Sequence, residues 1–596
     1  MDSGLVYVAV FLLLPVLGWL IIEQIKSLRG RRQILNGNYR TLAECERALN
    51  YFSDRLERDP HDWELYIRRG TAFAFLGDHQ QAIREYTHAL ALHQKDEGIL
   101  VQRGRSYYKL RKYDEAIWDC TRALDINARS ITAYSQRGQA YFESHAYEQA
   151  ARDYTMAIEI NPENAQHYIN RGQAYYKLEK YTEMLQDSEL ALSLRADSAV
   201  AHLNRGLAYY GLQDYKQAIE EHSKAILLSP RYALAYNNRG RTHAQLKAFE
   251  QALNDYSKAI TINPRYTQAY TNRGQLHQEL RRNERASADY NEALRADPSY
   301  FEARYQRGLA CFSLKDFIQA TSDFTLALTL RPRYVPAYTM RSLCYVYLKQ
   351  NKQALEDAMQ VVEINPETAS SYLTRGTIHW YRREYNLALA DFSRAIEIEP
   401  TRSIAYSKRG HIYAYTGQIA QALVDFERAL QLDPQAATAY HSRGCCYLRT
   451  GELKLAKADL QSSWRLAPDV STGLMLNWLQ LLEHDGLTKQ EIAEQLEGVA
   501  ALDARHAEAL LCQGIALYLQ DAYDEALLRL ALAESAGPEN ENVYFWQGMV
   551  LAALDRTIEA NLAFLRTQDL GLPRALWQAM ELLNKQAEIT YRSSGK

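Results

Sequence analysis

Apolar residues recur at helical spacing along almost the whole chain, interrupted by short polar turns such as Leu212-Gln213-Asp214. The pattern predicts pairs of helices. Aligned against itself, the sequence keeps one period of 34 residues: Arg-Gly stands at 69–70, 103–104, 137–138, 171–172, 205–206, 239–240, 273–274, 307–308, 375–376, 409–410 and 443–444, with Arg341-Ser342 in the remaining place. Around each Gly the flanking positions also repeat. Tyr commonly lies four before it (Tyr134, Tyr168, Tyr236) and an aromatic three after it (Tyr107, Tyr141, Tyr175). Ala follows at twelve (Ala116, Ala150, Ala218) and an aromatic at sixteen (Tyr154, Tyr256, Phe324), and Pro closes the unit at 162, 230, 264 and onward. Small Gly and Ala let two helices approach closely, the aromatics fill the space beside them, and Pro ends the second helix. One such pair cannot bury its apolar face alone, so successive pairs must stack.

The front of the chain follows another rule. Leu5 to Ile22 runs eighteen residues without a charge. As a helix it would cover about 27 Å, close to a bilayer's hydrocarbon thickness. Lys26, Arg29, Arg31 and Arg32 follow it, and no Lys or Arg precedes it. The expectation is a single transmembrane helix over 5–22 and a basic juxtamembrane segment over 23–36, with all that follows on the cytoplasmic side. A cleaved signal peptide is the alternative, but Leu17-Gly18-Trp19-Leu20 makes a poor cleavage end.

These motifs resemble the tetratricopeptide repeat family, whose aromatic, Leu-Gly, Tyr, Ala, Phe and Pro positions appear here as Tyr-x-x-Arg-Gly-x-x-Tyr, Ala-x-x-x-Tyr/Phe and Pro. The resemblance implies an all-α fold, a right-handed superhelical α-solenoid of helix hairpins with helix A on its concave wall. Twelve repeats fit 63–470, after a degenerate one over 37–62; 471–506 is a degenerate repeat with Trp478 in the Gly slot. Two further repeats occupy 507–574, and 575–596 reads as a capping helix and tail.

Arg stands where the family usually has Leu, and sixteen residues after each Arg is an acid. Arg103 with Asp119, Arg137 with Asp153, Arg171 with Asp187, Arg239 with Asp255 and Arg273 with Asp289 are typical. In the repeats at Gly514 and Gly548, Gln513 and Gln547 replace the Arg while Arg529 and Ala563 replace the acid, so both members vanish together. We read the column as structural ion pairs joining helix A to helix B inside each unit, a geometry suited to the planar guanidinium fork. A ligand channel for acidic partners is the competing reading.

Two positions before the Gly, Asn170, Asn204, Asn238 and Asn272 occupy successive repeats, and one after it lie Gln139, Gln173, Arg241 and Gln275. Asn both donates and accepts, so it can bind a peptide backbone without reading side chains. The column is similar to the asparagine ladder of other family members and makes these eight residues candidate peptide contacts. A plain helix-surface role is the alternative. No Lys/Asn set for clamping a C-terminal carboxylate is found at the corresponding slots, which hold Ile169, Gln173 and Leu234.

Composition narrows the functional classes. A net charge of −3 over 596 residues gives no global basic footprint for nucleic acid. The seven cysteines form no C-x-x-C pair, and Cys445 and Cys446 read as small packing residues. No phosphate-loop, dinucleotide, zinc-protease or serine-hydrolase motif is present, and no segment is left for a catalytic domain. The expectation is a non-catalytic, membrane-anchored scaffold or assembly factor that holds extended protein segments or helices in its groove, with no cofactor, no metal, no nucleic acid and no small-molecule substrate. A receptor or chaperone-docking adaptor for import or envelope assembly, a regulatory subunit of a membrane enzyme, and a secreted repeat protein are the alternatives.

Overall fold

The computed structural model describes residues 41–483, 488–503 and 506–570. The anchor and basic segment expected over 5–36, and the capping helix and tail expected over 575–596, lie outside them. Among the described residues there are 31 helices and no strand, and no helix is long and apolar enough to cross a membrane.

The chain divides into two units, 1–303 and 304–596. In the first, the helix Leu42–Arg58 precedes seven hairpins, from Trp63–Phe75 with His79–Leu92 to Thr267–Glu279 with Asn283–Ala296. The second contains Val335–Tyr347 with Asn351–Ile364 and continues through the pair Glu541–Ala553 and Thr557–Leu570. Within each unit, helices consecutive in the chain pack on one another, and helix A touches the following helix A, as Ala165–Lys177 does Ala199–Gly211.

Local chemistry sets the boundaries. Helix A of the first unit often starts on a polar cap: Ser130 accepts from the Ala133 amide and Asn164 from the Gln166 amide. Between helices A and B the chain passes through a left-handed residue seven positions after the Gly slot. Gly77, Gly417 and Gly451 occupy it in three hairpins, but Glu179, Gln213, Lys247 and Arg383 adopt φ of 57–63° in others. Helix B ends at residues such as Ile160, capped by Asn161, with Pro162 directly behind.

The repeated Gly marks the closest approach of the two helices. A Cβ on Gly274 would stand 2.7 Å from the Tyr290 ring, and one on Gly308 2.7 Å from Phe324. The Ala twelve after the Gly is fully buried in most hairpins. The core is therefore a series of local clusters, each shared by neighbouring hairpins. In the last hairpins, where Arg and acid are both lost, one larger apolar cluster runs from Val470 to Val550 and includes Trp478.

Candidate functional site

The arginine column is built the same way in most repeats. Arg171 donates through Nε to Asp187 Oδ2 at 2.9 Å and through Nη2 to Asp187 Oδ1 at 2.6 Å. Its guanidinium carbon lies 5.7 Å from the Tyr168 ring centroid and 5.8 Å from that of Tyr175, between two π-faces. Arg137 with Asp153 and Arg239 with Asp255 make the same two-pronged contact, each with a closest distance of 2.8 Å. Burial pushes the Asp187 carboxyl up, which Arg171 partly opposes. Burial also works against the Arg171 charge, yet its bonds to Asp187 leave its pKa raised. Asp187 is only 2% exposed.

The expected pairs also form at Asp119 and Asp289, each with a further neighbour. Asp119 accepts from Arg103 Nε at 2.8 Å and from Nη2 at 2.7 Å, as expected, and is fully buried. Its partner Arg103 reaches further. Arg103 Nη1 is also anchored on Thr87 of the preceding hairpin at 3.0 Å, because a carboxylate takes only two prongs of the guanidinium and leaves the third over. Asp289 accepts from Arg273 Nε at 2.9 Å and from Nη2 at 2.6 Å and is buried as well. A second basic group faces Asp289: His277 Nε2 lies 4.0 Å from its Oδ2, since His here fills the aromatic slot three after the Gly. Asp119 and Asp289 are thus buried acceptors within larger clusters.

The third partner recurs along the column and was not read from the sequence. Arg103, Arg137, Arg171, Arg239, Arg273, Arg341 and Arg409 each donate through Nη1 to a hydroxyl sixteen residues earlier, on helix B of the preceding hairpin: Thr87, Thr121, Thr155, Ser223, Ser257, Thr325 and Ser393. The strut therefore ties three helices and two repeats. Glu221 departs from the pattern, accepting from Arg205, Lys224 and His202 at once.

The asparagine column differs from the expectation of an open ladder. Asn204 and Asn238 are 2% and 4% exposed, because the neighbouring A helix closes over their slot. Asn204 Nδ2 donates to the Ile169 carbonyl at 3.1 Å, and Asn272 Nδ2 to Asn237 Oδ1 at 2.9 Å, both ties to the previous hairpin. Asn170 is half-buried and accepts from Gln166. Of the other strip, Gln139 and Gln275 are exposed and Gln173 half-buried. Arg241 lies 4.9 Å from the Tyr210 ring centroid and pairs with no carboxylate among the described residues.

The same two slots, two before and one after the Gly, line a cavity in the second unit. It has a volume of about 380 Å³ and lies among the A helices Ala369–Tyr381, Ser403–Tyr415 and Ala437–Thr450. Thr377, Lys408, His411, Ser442 and Cys445 come from those slots, while Trp380, Tyr415 and Arg449 wall it. His411 Nε2 bonds the Ser442 hydroxyl at 2.5 Å, and His441 Nδ1 the Thr472 hydroxyl at 2.8 Å. Burial lowers the His411 pKa to about 4, helped by Lys408, and burial alone lowers Lys408. Burial likewise pushes the Cys445 thiol up to about 12 and Cys446 to about 11, so neither is a thiolate nucleophile at neutral pH. No column of the repeat announces this pocket, since Lys408, His411 and Cys445 each occur once at their positions.

Models of the tetratricopeptide repeat match 165–198, 199–232, 233–266, 271–334, 335–368 and 437–470, and a TPR repeat model matches 138–179 and 410–451. Tetratricopeptide repeats are present across the chain. No curated protein matches it. Among solved structures it is similar to a tetratricopeptide repeat protein from Parabacteroides merdae, with 23% identity, a TM-score of 0.39, and 42% of this chain and 98% of that one covered. The anaphase-promoting complex assembly Cut9–Hcn1 matches at 18% identity and a TM-score of 0.47, over 83% and 97%. Yeast Tom70 matches at 16% and 0.37, over 69% and 99%. A tetratricopeptide repeat solenoid of this kind is consistent with a protein–protein interaction scaffold. Among the described residues no group of three His, Cys, Asp or Glu side chains is placed to hold a metal ion.

Proposed function

We propose that the chain is a membrane-tethered, non-catalytic scaffold that holds extended segments of partner proteins along the face made by successive A helices. The observation that carries this reading is the cavity spanning three consecutive A helices, walled by aromatic side chains and polar ones that include Lys408, unpartnered among the described residues. Gln139, Gln173 and Gln275 would offer sequence-tolerant hydrogen bonds along the same slots, whereas the arginine struts and the buried asparagines keep the hairpins in register. The uncharged run Leu5–Ile22 and the basic residues behind it would hold the array against a membrane on its cytoplasmic side. Tethering raises the local concentration of whatever binds, so weak contacts suffice to assemble a complex.

Membrane attachment is tested by washing native membranes with alkaline carbonate and then adding protease from the cytoplasmic face. The chain should stay in the pellet and lose its repeats to the protease. Release by carbonate, or protection of the repeats, would contradict the tether and its orientation.

A further inference from the structure

We infer that the cavity between Ala369–Tyr381, Ser403–Tyr415 and Ala437–Thr450 accepts an anionic side chain of a bound protein segment, together with the apolar residue beside it. The inference rests on the reading of the A-helix face as a protein-binding surface and adds the chemistry selected there.

Charge complementarity points to an anion. Lys408, Arg449, His411 and His441 line the cavity, and no Asp or Glu does. Among the described residues Lys408 has neither an ion-pair nor a hydrogen-bond partner, in contrast to the repeated arginines, which have carboxylates. The carboxylates of the flanking struts, and the two whose charge reaches His441 and Cys445, have partners of their own. Asp425 holds Arg409, Asp459 holds Arg443, Asp469 accepts from Thr472, and Glu508 accepts from Ser471. An apolar group alone would desolvate the Lys408 ammonium without compensation, which is costly. An anion removes that cost. Arg449, fixed through Nη1 to the Ala414 carbonyl, leaves its other donors free for the same group.

The walls call for an apolar neighbour. Phe392 forms a fully buried floor, and Trp380 and Tyr415 pack edge-to-face with ring centroids 5.2 Å apart. Tyr347, Tyr381 and Tyr415 recur at one slot in three successive repeats and are 52, 46 and 60% exposed. This exposed aromatic row leads to the cavity and suits an extended segment with apolar residues beside its acid. The anion is the carboxylate of an Asp or Glu side chain, which a Lys ammonium receives.

The test selects phage-displayed random dodecapeptides on the full chain held in detergent. Enriched peptides are then synthesised with both termini blocked, and binding is read by fluorescence anisotropy. The expected result is an acid next to an aromatic or aliphatic residue, at least tenfold weaker binding to Lys408→Gln and Lys408→Met, and a similar loss when the peptide acid becomes its amide. Combining the chain and peptide changes should add little further loss. Tighter binding of a phosphoserine version than of the Glu version would overturn the carboxylate; tighter binding of the Glu version supports it. Peptides that bind both Lys408 variants like the parent but fail on Gln139→Glu/Gln275→Glu would overturn the inference and leave the scaffold reading intact. Dependence on a free C-terminal carboxylate would also overturn it. Enrichment of no peptide at all would remove both.

Discussion

Arg171 Nη1 donates to Thr155 Oγ1 at 3.0 Å, a bond that crosses from one hairpin to the one before it. The same guanidinium holds Asp187 within its own hairpin, so closing a repeat and docking it on its neighbour share one side chain. Thr155→Val keeps the shape and removes the acceptor. It should lower stability by about 1.5–3 kcal/mol, the range for hydrogen bonds to charged groups. Hydrogen exchange should speed up in both hairpins, 131–160 and 165–194. Faster exchange in only one would show that the bond does not couple them.

The ion pair itself is tested by a double-mutant cycle at Arg239 and Asp255, 2.8 Å apart with Asp255 2% exposed. Asp255→Asn strands a guanidinium that is still partly exposed, so its cost should reach at most about 3 kcal/mol. Adding Arg239→Gln should restore much of it, because both charges are then gone. Strictly additive losses in urea denaturation would exclude the pairing.

Lys247 holds a φ of 57° in the turn between Ala233–Gln245 and Phe249–Ile262, where Gly417 and Gly451 serve in other hairpins. Relief of the left-handed penalty outweighs the entropy that Gly adds to the unfolded chain. Lys247→Gly should therefore stabilise by about 0.5–1 kcal/mol. The reverse change, Gly451→Ala, should destabilise by a similar amount. Thermal denaturation of each variant reads the sign directly.

His222 fills the aromatic slot beside Gly206, is 0% exposed, and has no hydrogen-bond partner on either ring nitrogen. Burial lowers its pKa to about 3, aided by the charges of Arg241 and Arg239 and opposed by Glu221. In the unfolded chain its pKa is about 6.5. The unfolded state thus binds the extra proton between these values, so this stability is complete above pH 6.5 and is lost as pH falls toward 3. The slope approaches about 1.4 kcal/mol per pH unit. His222→Phe, matching Phe324 and Phe392 in other repeats, should flatten the loss of exchange protection in 199–228 between pH 7 and 5. An unchanged slope would show that His222 does not govern it.

The hairpins were legible because a 34-residue register imposes the same residue on the same contact many times over. The Arg–acid pairs were legible for a further reason: where Gln513 and Gln547 replace Arg, the acid also goes. What lies around each pair was not. The bond from Arg103 to the Thr87 hydroxyl crosses a repeat boundary, and Glu189, Met359 and Glu427 break the hydroxyl column elsewhere. The approach of His277 to Asp289 was hidden too, because only that repeat and a few others carry His in an aromatic slot. Burial of Asn204 and Asn238 was equally out of reach. Sequence spacing places them on the correct edge of helix A but does not say how closely the next helix A approaches. The cavity at Lys408 was least visible, because a pocket that distinguishes one repeat from the others cannot appear as a repeated residue.

Site-specific photo-cross-linking in the native membrane tests the scaffold reading most directly. A photoreactive amino acid is placed at Gln139, Gln275 or His411 on the A-helix face, and at Trp118 or Leu227 on exposed surface of helix B. The account predicts discrete protein adducts from the A-face positions and few from the B-face ones, with the His411 adduct reduced by Lys408→Gln. Adducts confined to Trp118 and Leu227 would contradict it.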